Sequence, residues 1–214
     1  MKYIMNVRTL IAKIHLAYKG KQSSKAPKPS EPKYEVYLSL ANDNQDRWAE
    51  DPDHDWESLY AGALTLPIVN GQISLPEETC KVISCTYQNK QVPIVYFKQR
   101  YDVKSGAYIT GPKGEKVLHL INPEDYTGSA VVETLAYPEE MRRENDTVAC
   151  DNPRWLTLQT AAMLARNDPA KDDEADRIFE LANNEYQEMA ARDMKSQISG
   201  GRKLKRAYSR MPRL

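Results

Sequence analysis

Long apolar runs are missing from this sequence. No stretch approaches the roughly 20 consecutive apolar residues that span a bilayer, which excludes a transmembrane helix. The N-terminus also lacks the apolar core and small-residue cleavage site of a secretory leader, so the expectation is a protein that is not secreted. Cysteine is scarce. Cys80, Cys85 and Cys150 contain no Cys-x-x-Cys pair and leave one thiol over under any pairing, which reads as buried reduced thiols in a cytosolic setting. Cys80 and Cys85 stand five apart on a strand-like run, facing opposite sides, so they are not expected to pair with each other. Histidine is equally rare. His15, His54 and His119 fall on a helix-like stretch, an acidic loop and a strand-like stretch, with no metal-ligand spacing between any two.

Net charge is absent only in the total, where 30 Lys and Arg balance 30 Asp and Glu. Residues 1–33 carry eight basic side chains against Glu31 alone. Residues 199–214 carry Arg202, Lys203, Lys205, Arg206, Arg210 and Arg213 against no acid. The middle of the chain is therefore strongly acidic. An acidic body with two basic ends seeks an anionic surface, either nucleic acid or an acidic neighbouring subunit; solubilising tails are the plainer alternative. With 214 residues, 41% hydrophobic and 28% charged, the chain is long enough for one domain with an insertion and a core of its own.

Hydrophobic periodicity divides the chain. Ile4, Val7, Ile11, Ile14 and Tyr18 repeat at three and four, one face of a helix, with Gly20 as its stop. Residues 21–33 hold three prolines and no large apolar side chain, and read as an exposed linker. Tyr34, Tyr37, Leu38, Ala41 and Trp48 mark a second helix. From residue 58 the pattern changes to short strands at 64–69, 73–75, 82–87, 93–97, 107–110, 116–121 and 129–137. Asn70-Gly71 is a hairpin signal between the first two of these. Helices return at Pro153, capped by Asp151 or Asn152, and again after 168–173, where Ile178, Ala182, Tyr186 and Met189 form the buried stripe. The fold class expected is α+β. N-terminal helices (1–57, with the linker at 20–33) and C-terminal helices (150–198) packing on them form a helical bundle, with an antiparallel β sandwich or barrel-like module (58–149) inserted between them in sequence. A basic tail (199–214), disordered when free, follows.

The motifs that carry chemistry are incomplete. Asp51, Asp53 and Asp55 begin like a calcium loop, but Trp56 stands where its turn needs glycine and Gly62 where it needs a bidentate glutamate. The spacing of Gly106 and Gly111 imitates a phosphate loop, yet Pro112 replaces the lysine. Gly111 and Gly114 fit the G-x-x-G of an RNA-binding loop, which would have to join helices rather than strands. No catalytic, cofactor-binding or metal-binding residues are expected, and no enzymatic activity. What remains is surfaces: Trp48, Trp56 and Trp155 as cement between the helical and β layers, and Arg142, Arg143 and Arg154 as rim charges.

Residues 37–49 with 53–60, 151–156 with 161–168, and 182–189 together resemble the neck proteins of tailed bacteriophages, most strongly at the two helical ends of a match covering about 34–196. The Lys/Pro linker and the basic tail depart from that pattern. The resemblance implies a head-to-tail connector that forms a ring, commonly of twelve copies, beneath the portal and extends the DNA channel toward the tail. Its partners would be the portal protein, its own copies, a tail or nozzle protein below, and packaged DNA passing without sequence-specific contact; no membrane is implied. It would be assembled in the host cytoplasm and reside in the virion neck. The tail residues expected to bind the portal are Arg202, Lys203, Lys205, Arg206, Tyr208, Arg210, Met211, Arg213 and Leu214. The alternative is a nucleic-acid-binding accessory protein that uses its basic termini.

Overall fold

Helix-capping chemistry sets the boundaries of the first element. In the computed structural model, which describes residues 5–20 and 25–199, the last five by backbone alone, α1 spans Val7–Lys19. The Asn6 side chain accepts the Thr9 N–H at its start, and the Gly20 N–H reaches the Leu16 carbonyl at its end. Helix α2 spans Pro32–Ala49, with proline in its first turn, where a missing N–H costs nothing. Helix α3 (Pro153–Arg166) opens on Asn152, whose side chain accepts the N–H groups of Arg154 and Trp155. Helix α4 (Asp172–Ser199) begins with Asp172, Asp173 and Glu174, which complement the positive end of its dipole.

These four helices belong to one compact unit, built from the N-terminal part through His54 and from Pro138 through Ser199. Helix α3 packs on α1, α2 and α4. Its buried face includes the alanines Ala161, Ala162 and Ala165, which let neighbouring helices approach closely, together with Leu156. Val7, Leu10, Ile11 and Ile14 of α1 and Trp48 of α2 complete the interior; each such side chain contributes about 1.5–3 kcal/mol by leaving water.

The second unit runs from Asp55 to Tyr137 and contains two antiparallel sheets. Strands β1 (Tyr60–Pro67), β7 (Ser129–Ala136), β3 (Thr79–Tyr87) and β4 (Lys90–Val92) form one sheet in that spatial order. Strands β2 (Gln72–Ser74), β6 (Val117–Ile121) and β5 (Gly106–Thr110) form the other. Ile73, Leu118 and Leu120 from the smaller sheet and Val82, Cys85 and Val132 from the larger join one buried cluster, the interior of a sandwich. The architecture is thus α+β, as the sequence patterning indicates.

Three expectations need correction. The tight turn at Asn70-Gly71 is present, with φ of 53° and 72°, but it does not join a hairpin. Strand β1 pairs with β7 while β2 pairs with β6, so the turn carries the chain from one sheet to the other. Only Val69 and Gln72 exchange hydrogen bonds across it. The strand expected at 93–97 is a single parallel bridge at Ile94 followed by a 3-10 turn, Phe97–Gln99. The β region also ends sooner than residue 149. From Pro138 onward the chain belongs to the helical unit, and its backbone bonds to the chain leading into and starting α1, with an antiparallel bridge between Asn6 and Thr147. The Val7 N–H reaches the Asp146 carbonyl and the Val148 N–H reaches the Met5 carbonyl.

Candidate interaction surfaces

The nine tail residues expected to bind a portal, Arg202 through Leu214, lie outside the described residues. Among the other expectations, Trp48 and Trp155 are buried within the helical unit and Trp56 is buried at the start of the β unit. Arg142 pairs with Glu140 at 2.8 Å, and Arg154 pairs with Glu185 at 3.1 Å. The backbone N–H groups of Arg142 and Arg143 both donate to Asp146, which holds that carboxyl below its usual range.

The acidic loop divides its carboxylates among local partners. Asp51 accepts the Asp53 N–H at 2.7 Å, and Asp55 faces Lys81 at 3.8 Å. Among the described residues no group of three or more His, Cys, Asp or Glu side chains converges as a metal site would require. His15 is buried beside the Tyr37 hydroxyl, 3.3 Å away, and His54 lies edge-on to Tyr186. Cys85 sits in the sandwich interior, where burial pushes its thiol up to about 11.

Polar side chains of α2 do the work that strand pairing would otherwise do. Gln45, only 1% exposed, donates to the Glu139 carbonyl and accepts the N–H groups of Ala149 and Cys150. Asn44 donates to the Thr160 hydroxyl of α3. The amide-rich run at 42–45 is therefore a clamp on the returning chain.

A different surface lies on the β unit. Between β4 and β5 the chain exposes Tyr96, Phe97 and Tyr101, the last at 80%. The Arg100 guanidinium lies 3.6 Å from the Phe97 ring centroid and 4.1 Å from that of Tyr101. It also donates to the Phe97 carbonyl and the Tyr101 hydroxyl, so it is fixed in place. Phe97 meets Tyr108 of β5 edge-on at 5.5 Å, and Tyr108 stacks on His119 of β6 at 4.9 Å and 6°. Strand register makes that last pair, because Tyr108 and His119 are directly opposed. The Thr110 hydroxyl, 2.7 Å from His119 Nε2, orients the imidazole. Five planar groups thus form a continuous row, Tyr101–Arg100–Phe97–Tyr108–His119. The sequence offers each of them as an ordinary strand or loop residue; only the register and the 3-10 turn join them.

No protein-family model matches this chain, and no curated protein matches it in sequence.

Proposed function

We propose that this chain is a structural protein of the tailed-bacteriophage neck, a head-to-tail connector that docks on the portal ring, extends the DNA channel and joins capsid to tail. The observation that carries the reading is the way the chain is divided. Segments from both of its ends build one helical unit, and an antiparallel β sandwich is inserted between them. The residues behind the sequence resemblance stand at the join, where Gln45 binds the returning chain and Asn152 starts α3. Charge supports the reading as well. An acidic body repels DNA that must slide through a channel, and basic ends suit attachment to acidic neighbours. Partners on this reading are the portal, further copies in a ring commonly of twelve, and a tail or nozzle protein below, with the assembled protein located in the virion neck. No catalytic step is assigned to it.

Deletion of residues 199–214 tests the proposal. The shortened chain should keep its circular dichroism spectrum and melting profile yet fail to attach to filled heads. Infectious particles at normal yield would refute the docking role. Tight, salt-sensitive binding of the full chain to free duplex DNA would instead favour a nucleic-acid accessory protein.

A further inference from the structure

The row of aromatic groups on the β unit has the composition of a binding surface. This chain has only two phenylalanines, and one of them, Phe97, is 49% exposed beside Tyr96 at 57% and Tyr101 at 80%. Large apolar groups clustered in water mark contact sites, and tyrosine and arginine dominate the energetic centres of protein interfaces. The row is also rigid: stacking and two hydrogen bonds already hold Arg100, so little side-chain entropy remains to be lost on contact. Its surroundings are basic. Lys98, Arg100 and Lys104 face only Asp102 in this stretch, within a body that is otherwise acidic.

The complementary surface is present in the same chain. Helix α4 carries eight Asp and Glu against Arg177, Arg192 and Lys195. Asp173, Glu180 and Glu188 are exposed at spacings that keep them on one side of the helix, with the exposed Leu181 beside them; Asp176 on the same side is held by Arg166, and Glu188 has Arg192 4.0 Å away. Such a stripe offers carboxylates to the lysines and an apolar side chain to the rings. We propose that the aromatic row of one copy docks on the acidic stripe of α4 in a second copy. Two different patches meeting in this way make a heterologous contact, which generates a ring where the rotation between copies closes. The inference rests on the ring reading above and specifies which surfaces make the ring.

The test mixes 15N-labelled and unlabelled full-length chains at about 0.3 mM, where even an interface with a Kd near 0.1 mM is largely formed. A zero-length carbodiimide then joins amines to carboxylates. Mixed-isotope links from Lys98 or Lys104 to Asp173, Glu180 or Glu188 are the expected result. Tyr101→Ala should reduce their yield at least tenfold without changing the circular dichroism spectrum. Lys98→Glu with Lys104→Glu should abolish association of that variant with itself, and mixing it with a chain carrying Asp173→Lys and Glu180→Lys, which also fails to self-associate, should restore it. The proposal is overturned by mixed-isotope links confined to other residues, by none at all, or by an oligo-dT strand that binds the wild type and not Tyr101→Ala. Failure here leaves the connector reading standing wherever particle images still place the protein in the neck. Its absence from purified particles would remove that reading even if the crosslinks form.

Discussion

Asn42 and Met141, 99 residues apart in sequence, are bonded to each other as two strand residues would be. The Asn42 side chain donates to the Met141 carbonyl at 2.9 Å, and the Met141 N–H donates back to Asn42 Oδ1 at 3.0 Å. Three positions further along α2, Gln45 repeats the device against Glu139, Ala149 and Cys150.

Gln45→Ala should therefore be among the most damaging single changes in the chain. It leaves one buried carbonyl and two N–H groups without their partner, at a cost of about 3 kcal/mol, whereas the less buried Asn42→Ala costs about 1–2 kcal/mol. Urea denaturation of the two variants checks both the size and the order of these effects.

The turns make opposite predictions. A Cβ on Gly71 would lie 2.1 Å from that of Pro123, at a φ of 72°, so Gly71→Ala should destabilise by about 3 kcal/mol through clash and left-handed strain together. Gln88 and Asn89 also have positive φ, at 47° and 62°, in the two-residue turn between β3 and β4. Gln88→Asn combined with Asn89→Gly supplies the residues such a turn favours and should stabilise by about 1 kcal/mol. Thermal melts of the two variants should shift in opposite directions.

Alkaline pH should weaken the helical unit. Burial, reinforced by the neighbouring Tyr18, pushes the Tyr37 hydroxyl up to about 12 from its ordinary 10. Because the folded value lies above the unfolded one, this contribution is intact below pH 10 and is lost as the pH rises from 10 toward 12. Tyr37→Phe should flatten the stability profile across that window, measured by denaturation at stepped pH.

The thiols should be inert in the native state. Cys80, Cys85 and Cys150 are all buried, and Cys85 holds its proton to about 11. An aromatic disulfide reagent at pH 8 should label all three only after denaturant is added. Rapid labelling of the folded chain would show that the sandwich interior opens more readily than its packing indicates.

The helices were legible because their signals are local. Asn152 and Pro153 announce α3, and Tyr34, Tyr37, Leu38, Ala41 and Trp48 show the buried face of α2 without reference to anything distant. Strand partners are a different matter. Asn70-Gly71 specifies a turn, but whether the flanking strands pair depends on β6 and β7, which come some 45 to 60 residues later. The aromatic row was hidden for the same reason: Tyr108 meets His119 through register, and Phe97 joins them through a 3-10 turn where the sequence suggests a strand. Gln45 and Asn42 were readable as polar residues on a helix, but not as the partners of chain that returns about a hundred residues later.

The β unit begins and ends on neighbouring strands, with Tyr60 of β1 opposite Leu135 of β7. Closing a loop costs entropy that grows with the length of chain between its ends, and strand pairing within the insert already holds those ends together here. The insert therefore brings its own two ends side by side, so the chain enters and leaves it at adjacent points. The two halves of the helical unit are joined directly to each other, by the Asn42 and Gln45 amides, by the Val7–Asp146 and Val148–Met5 backbone bonds and by the packing of α1 and α2 on α3.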